Sequence, residues 1–181
     1  VPVGFVINGV AADDQSGLSV SSAGDVNGDG LDDLIVGAMG ADPNGSLSGA
    51  SYVVFGKADG VAVELSAIDL NAEANPSGFM IKGISKDDSF GRTVSGAGDV
   101  NGDGFDDIII GATGVDTRGS GSGSSYVVYG KADGATVDLS LVSLSVGGFV
   151  INGVDADDQS GFSVSGAGDV NGDGFADLLV G

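Results

Sequence analysis

One seven-residue run, Gly-Asp-Val-Asn-Gly-Asp-Gly, occurs three times in this chain without a change, at 24–30, 98–104 and 168–174. Two further runs keep the same register. Gly-Phe-Val-Ile-Asn-Gly-Val at 4–10 returns as Gly-Phe-Met-Ile-Lys-Gly-Ile at 78–84 and unaltered at 148–154. Ser-Tyr-Val-Val-Phe-Gly-Lys-Ala-Asp-Gly at 51–60 returns at 125–134 with a single Phe-to-Tyr change. The offset is 74 residues from first copy to second and 70 from second to third. Self-similarity at a fixed period means that one structural unit is repeated and stacked, which constrains the fold more than any local propensity. The difference in offset falls between Lys57 and Gly78, where 71–77 is polar and holds Pro76; insertions collect in such connections. The units are placed at about 4–77, 78–147 and 148–181, two and a half copies. Because the chain starts and stops inside the recurring pattern, it is expected to be a fragment.

Within each unit the pattern predicts short strands separated by turn residues. The chain has 35 Gly in 181 residues, and 24 of its 26 acids are Asp. Asp favours turns and caps whereas Glu favours helix, so this skew opposes helices. Residues 4–10 and 51–55 read as strands, and 18–25 alternates as a strand with one small-residue face. Leu34-Ile35-Val36 and Ile108-Ile109-Ile110 are continuous apolar runs, as expected of strands covered on both faces. The sole helical expectation is one turn near 65–70. Four strands per unit, repeated, predict an all-β chain of propeller blades, each of four antiparallel strands, rather than a sandwich.

Composition removes several functions. With 26 acids against six bases the formal charge is −20, which repels phosphate and argues against nucleic acid and anionic membranes. With no His and no Cys, a Ser-His-Asp triad, a Cys nucleophile and an ordinary zinc or haem site are all excluded. No apolar run approaches the ~18 residues of a membrane span.

The stretch 16–38, Ser-Gly-Leu-Ser-Val-Ser-Ser-Ala-Gly-Asp-Val-Asn-Gly-Asp-Gly-Leu-Asp-Asp-Leu-Ile-Val-Gly-Ala, resembles the FG-GAP repeat of integrin-α-type propellers. Phe90-Gly91 supplies the Phe-Gly pair directly, while Ser16-Gly17 and Ser160-Gly161 stand in its place elsewhere. Gly37-Ala38 and Gly111-Ala112 match Gly-Ala-Pro with Met39 and Thr113 in place of the Pro. The resemblance implies that each blade takes the strand entering the first Asp, the next two strands of the unit, and the Gly-Phe strand of the next copy. Eleven strands are then expected: an orphan outer strand at 4–10, two full blades, and two strands of a third. Such a ring closes with seven blades, so an incomplete propeller is implied, with the remaining blades of a longer chain as partners.

The constellation that carries chemistry is Asp25-x-Asn27-x-Asp29-Gly30-x-x-Asp33, repeated as Asp99, Asn101, Asp103, Gly104, Asp107 and as Asp169, Asn171, Asp173, Gly174, Asp177. Side-chain oxygens at positions 1, 3, 5 and 9, with backbone carbonyls from Leu31, Phe105 and Phe175 at position 7, are the donor set of a hard cation. Ca²⁺ takes six to eight oxygens at ~2.3–2.6 Å, and Gly at position 6 lets the chain wrap the ion. Mg²⁺ demands stricter octahedral geometry and keeps its waters. An EF-hand would place a further ligand at position 12, but Val36, Ile110 and Val180 stand there, so the loop runs into a strand. The competing reading is a glycine-rich turn in which Asp and Asn only cap backbone groups; three copies in register favour about three Ca²⁺ sites.

Other acids are read as bystanders. The doublets Asp13-Asp14, Asp87-Asp88 and Asp157-Asp158 read as solvated turns. Asp32 and Asp106 adjoin ligand positions, but Ala176 occupies the third copy, so both are assigned to solvent. Lys57 and Lys131 read as turn charges. The expected function is a non-enzymatic, calcium-stabilised propeller segment of a secreted or cell-surface protein, an adhesion or interaction scaffold with a protein or glycan ligand. The alternative is a non-catalytic propeller module of a larger extracellular, phospholipase-like hydrolase.

Overall fold

The structure, a computed structural model, describes residues 4–68, 76–139 and 147–181. Its first blade is antiparallel in the order β2 (Val20–Gly24), β3 (Asp33–Ala38), β4 (Ala50–Val54), β6 (Gly78–Lys82). Its second runs β7 (Phe90–Gly98), β8 (Asp107–Ala112), β9 (Ser124–Val128), β11 (Gly148–Asn152). A third begins with the pair β12 (Val164–Gly168) and β13 (Asp177–Val180). The outer strand of each full blade thus comes from the next copy of the Gly-Phe run, as the family resemblance implies. The blades are those of an open, incomplete propeller.

Two short strands go beyond the eleven expected. Val63–Glu64 (β5) pairs in parallel with Ile7–Asn8 (β1), and Val137–Asp138 (β10) pairs in parallel with β6. The strand at 4–10 is therefore shorter than expected and is not an orphan. Asn8 Nδ2 donates to Glu64 Oε1 at 2.6 Å across that pair. Leu65–Ile68 forms one helical turn, α1, with Leu65 and Ile68 buried; the remainder of the expected turn, at 69–70, and residues 71–75 of the first connection lie outside the described residues.

The continuous apolar runs serve two cores at once. Along β3, Ile35 faces the second blade with Val53, Phe79 and Ile81, against Ile108, Ile110, Tyr126 and Val128. Leu34 and Val36 face the opposite way, with Tyr52, Val54 and Met80, against Phe5, Ile7, Val63, Leu65 and Ile68. On β8 the alternate residue Ile109 joins Val127 and Phe149 against Leu178 and Val180. A strand covered on both faces has no polar face, which is why period-2 alternation is missing there. The third copy shows the converse. Val26 and Ile35 are 0 % exposed, whereas their counterparts Val170 and Leu179 are 73 % and 62 % exposed.

Blade stacking leaves no room for side chains at several glycines. A Cβ on Gly111 would lie 2.9 Å from the carbonyl carbon of Gly161 and closer still to its oxygen. Both obstacles are backbone of the neighbouring blade. Gly111→Ala is expected to destabilise the chain by about 1–3 kcal/mol through overpacking. Gly4 has open space around it, so Gly4→Ala should be near neutral. Urea midpoints that coincide for the two variants would contradict this account of blade packing.

Candidate cation loops

Each inner hairpin carries its aspartate loop directly after a bulge. The register of β2 against β3 shifts between Ser22 and Gly24, and the same shift occurs at 96/98 and 166/168. Such a bulge bends the strand and re-aims the residues beyond it, here the loops 25–33 (loop 1), 99–107 (loop 2) and 169–177 (loop 3). At position 6, Gly30 has φ +88°, a left-handed conformation that a side chain would strain.

Inside loop 1 the Asp25 carboxylate is wrapped by backbone. Oδ1 accepts from the N–H groups of Gly28 (2.8 Å) and Asp29 (3.0 Å), and Oδ2 accepts from Gly30 (2.9 Å). Asn27 Oδ1 accepts from Asp29 N–H, and Asp29 Oδ1 accepts from Leu31 N–H, both at 2.8 Å. Loops 2 and 3 repeat this pattern around Asp99 and Asp169. The N–H groups of Gly174, Gly172 and Asp173 hold the Asp169 carboxyl below the ordinary carboxylate range.

Position 9 plays a different part. Asp33 and Asp107 are both 0 % exposed. Asp33 Oδ2 accepts from Val26 N–H at 2.9 Å and Oδ1 from Gly56 N–H at 2.7 Å, so it ties the loop to the end of β4. Asp107 does the same between Val100 and Gly130, at 2.9 Å each. In the third copy Asp177 accepts from Val170 N–H and from Asn171 Nδ2. Burial pushes the carboxyls of Asp33 and Asp107 up to about 6 against these bonds. Repulsion from Asp29 and Asp25, or from Asp103 and Asp99, adds to the rise. Among the described residues no Lys or Arg pairs with any of the nine carboxylates at positions 1, 5 and 9; Lys57, Lys86 and Lys131 pair instead with Asp59, Asp87 and Asp133.

The donor chemistry and the curvature of these loops fit a hard, oxygen-coordinated cation. Asp25, Asn27, Asp29, the Leu31 carbonyl and Asp33 would hold it in loop 1, and the matching residues in loops 2 and 3. The carboxylates are nonetheless turned onto loop N–H groups, and among the described residues no three acidic side chains converge closely enough to hold a metal ion. Asp25 Oδ2, Asp29 Oδ1 and the two Asp33 oxygens each accept one of these bonds and keep a lone pair to offer, whereas Asp25 Oδ1 accepts two.

Three sequence assignments change. Asp106 is not a solvent residue: its Oδ2 accepts from Asp25 N–H at 2.8 Å, and its own N–H donates to the Asp25 carbonyl at 3.1 Å. Phe105, assigned a role through its carbonyl, also lays its ring over loop 1, where a Cβ on Gly28 would meet it at 2.7 Å. Asp88, read as solvated, is buried and accepts from Ser85 N–H at 2.8 Å; burial raises its carboxyl. Asp32 stays exposed, as expected. Sequence reading misses Gly56 and Gly130 as partners of position 9, although their recurrence in the Phe/Tyr-Gly-Lys runs is visible.

The FG-GAP repeat model matches residues 16–54, 90–128 and 160–181. Those segments begin at or ahead of each inner strand and contain each aspartate loop whole. The chain is 31 % identical over 180 residues to integrin alpha-PS2 of Drosophila melanogaster and 30 % identical over 185 to integrin alpha ina-1 of Caenorhabditis elegans. It is also 32 % identical over 167 residues to phosphatidylinositol-glycan-specific phospholipase D of Bos taurus. These alignments cover 98 %, 98 % and 91 % of this chain but only 12 %, 15 % and 18 % of the relatives.

Proposed function

The chain belongs to the FG-GAP repeat family, and from that premise we propose that it is a non-enzymatic propeller segment whose aspartate loops bind Ca²⁺, one ion per loop. The observation that carries this is the burial of Asp33 and Asp107, which no Lys or Arg pairs among the described residues, each repelled by two further carboxylates of its loop. An ionised carboxylate buried unpaired is costly, and a dication held among the three would offset that cost where no Lys or Arg does. The ion is structural: it fixes the hairpin that joins the inner two strands of a blade.

Extracellular modules bind Ca²⁺ with Kd around 10⁻⁴–10⁻³ M, which the low free calcium of a cytosol would leave unfilled. This favours a secreted or cell-surface home, with the propeller as an adhesion or interaction scaffold for a protein or glycan ligand. The exposed Val170 and Leu179 favour further blades of a longer chain as partners, and repeat units near 4–77, 78–147 and 148–181 suit that assembly. The phospholipase D relatives favour a second reading of the same module, as the non-catalytic propeller of a larger extracellular hydrolase. A full-length reading frame with a separate domain bearing catalytic residues would decide for the second.

Calcium titration followed by calorimetry tests the site assignment. The unaltered chain should take up about three ions. Asp103→Ala, which removes position 5 of loop 2, should lose close to one ion and leave the other two loops in place. Uptake unchanged by Asp103→Ala would refute the ligand assignment and leave loop 2 as a capped turn.

A further inference from the structure

Successive aspartate loops share residues. Asp25 opens loop 1, yet its N–H is held by the carboxylate of Asp106 and its carbonyl by the N–H of Asp106, both from loop 2. Lys131 N–H of the second blade donates to the Val26 carbonyl at 2.8 Å. A Cβ on Gly24 would meet the Asp106 carboxyl carbon at 2.6 Å, so the bulge glycine and the Asp106 side chain fit one another. At the next junction Ala176 N–H donates to the Asp99 carbonyl at 3.0 Å, and the Phe175 ring covers Gly102 as Phe105 covers Gly28. The backbone bond and the ring contact therefore recur, whereas the carboxylate bond to the first Asp exists only where position 8 is Asp.

We infer that Asp106 is a positioning residue for the cation site of the preceding loop, so that the affinity of loop 1 is set partly by loop 2. By accepting from Asp25 N–H while donating to its carbonyl, Asp106 fixes the backbone that aims the first ligand. Loop 2 lacks this support because Ala176 offers no acceptor to Asp99. The inference rests on the calcium reading above and extends it: loop 1 is braced by its successor, so the loops are not three independent sites.

Calcium chloride titration of the 181-residue chain, resolved by loop through the amide signals of Gly30, Gly104 and Gly174, separates the possibilities. In Asp106→Ala the affinity of loop 1 should fall roughly five- to tenfold, the loss of one charge-assisted hydrogen bond. Loop 2, where residue 106 itself lies, should hold within about twofold. Asp106→Asn keeps an acceptor and removes the charge, so it should restore loop 1. Ala176→Asp supplies the missing acceptor and should tighten loop 2 by a few fold. An affinity loss centred on loop 2, or no rescue by Asn, overturns the positioning role. If Asp106→Ala does not fold, Ala176→Asp decides alone, and failure to tighten loop 2 counts against the inference. In chelator, Asp25 N–H should exchange faster in Asp106→Ala and recover in Asp106→Asn. That result without calcium uptake by any loop of the unaltered chain would sink the calcium reading while leaving the brace itself in place.

Discussion

Stripping divalent cations from the chain should lower its thermal midpoint by about 8–16 °C relative to 1 mM free calcium. A site with Kd of ~0.1 mM at that concentration stabilises the folded chain by ~1.4 kcal/mol, and three such sites by ~4 kcal/mol. For a chain of this size each kcal/mol moves the midpoint by about 2–4 °C. Two features make the response large. Among the described residues no Lys or Arg offsets the buried Asp33 and Asp107, and the whole chain carries a formal charge of −20, so bound dications also relieve general self-repulsion. Sodium chloride screens the second effect but cannot replace the first. Scans in chelator, in chelator with added salt, and in calcium therefore separate them. If salt alone recovers the full midpoint, the stabilisation is screening and the loops are not cation sites.

The blades are legible because repetition supplies three readings of the same pattern. Ile108-Ile109-Ile110 and Leu34-Ile35-Val36 signal strands covered on both faces, and the structure assigns their alternate residues to separate cores. The strand composition of a blade, with the outer strand taken from the next copy, comes from the family pattern. The features that escape are those that depend on contact between units. β5 and β10 are two residues long and pair in parallel with an outer strand from a different part of the repeat, so no local periodicity announces them. Asp106 escapes because Ala176 fills the matching position, which argues soundly against a ligand but not against a brace between loops. Position 9 reads from sequence purely as a ligand. Its burial and its bond to the end of β4 appear only once β3 is seen covered by the second blade on one face and by β1, β5 and α1 on the other. The residue types within each loop are readable; their division of labour is set by the neighbouring blade.

That dependence on the neighbour predicts unequal costs for one substitution at matched positions. Phe79 and Phe149 occupy the same place in successive copies, both on the outer strand of a full blade. Phe79 is 0 % exposed, packs edge-on to Phe55 at 6.1 Å between centroids, and lies under Lys131 with Nζ 4.4 Å from the ring centre. Phe149 keeps the matching aromatic partner, Tyr129 at 6.4 Å, but is only partly buried. Lys131 belongs to the connection after β9, so the cover on Phe79 is supplied by the following blade. Phe79→Ala should cost about 3–5 kcal/mol, as for a fully buried aromatic. Phe149→Ala should cost less, in proportion to the smaller area withdrawn from water. Urea unfolding of both variants in calcium measures the difference. Were the blade itself the stable unit, with neighbours contributing little, the two losses would match. An unequal pair is the signature of a stack in which each blade is completed by its successor.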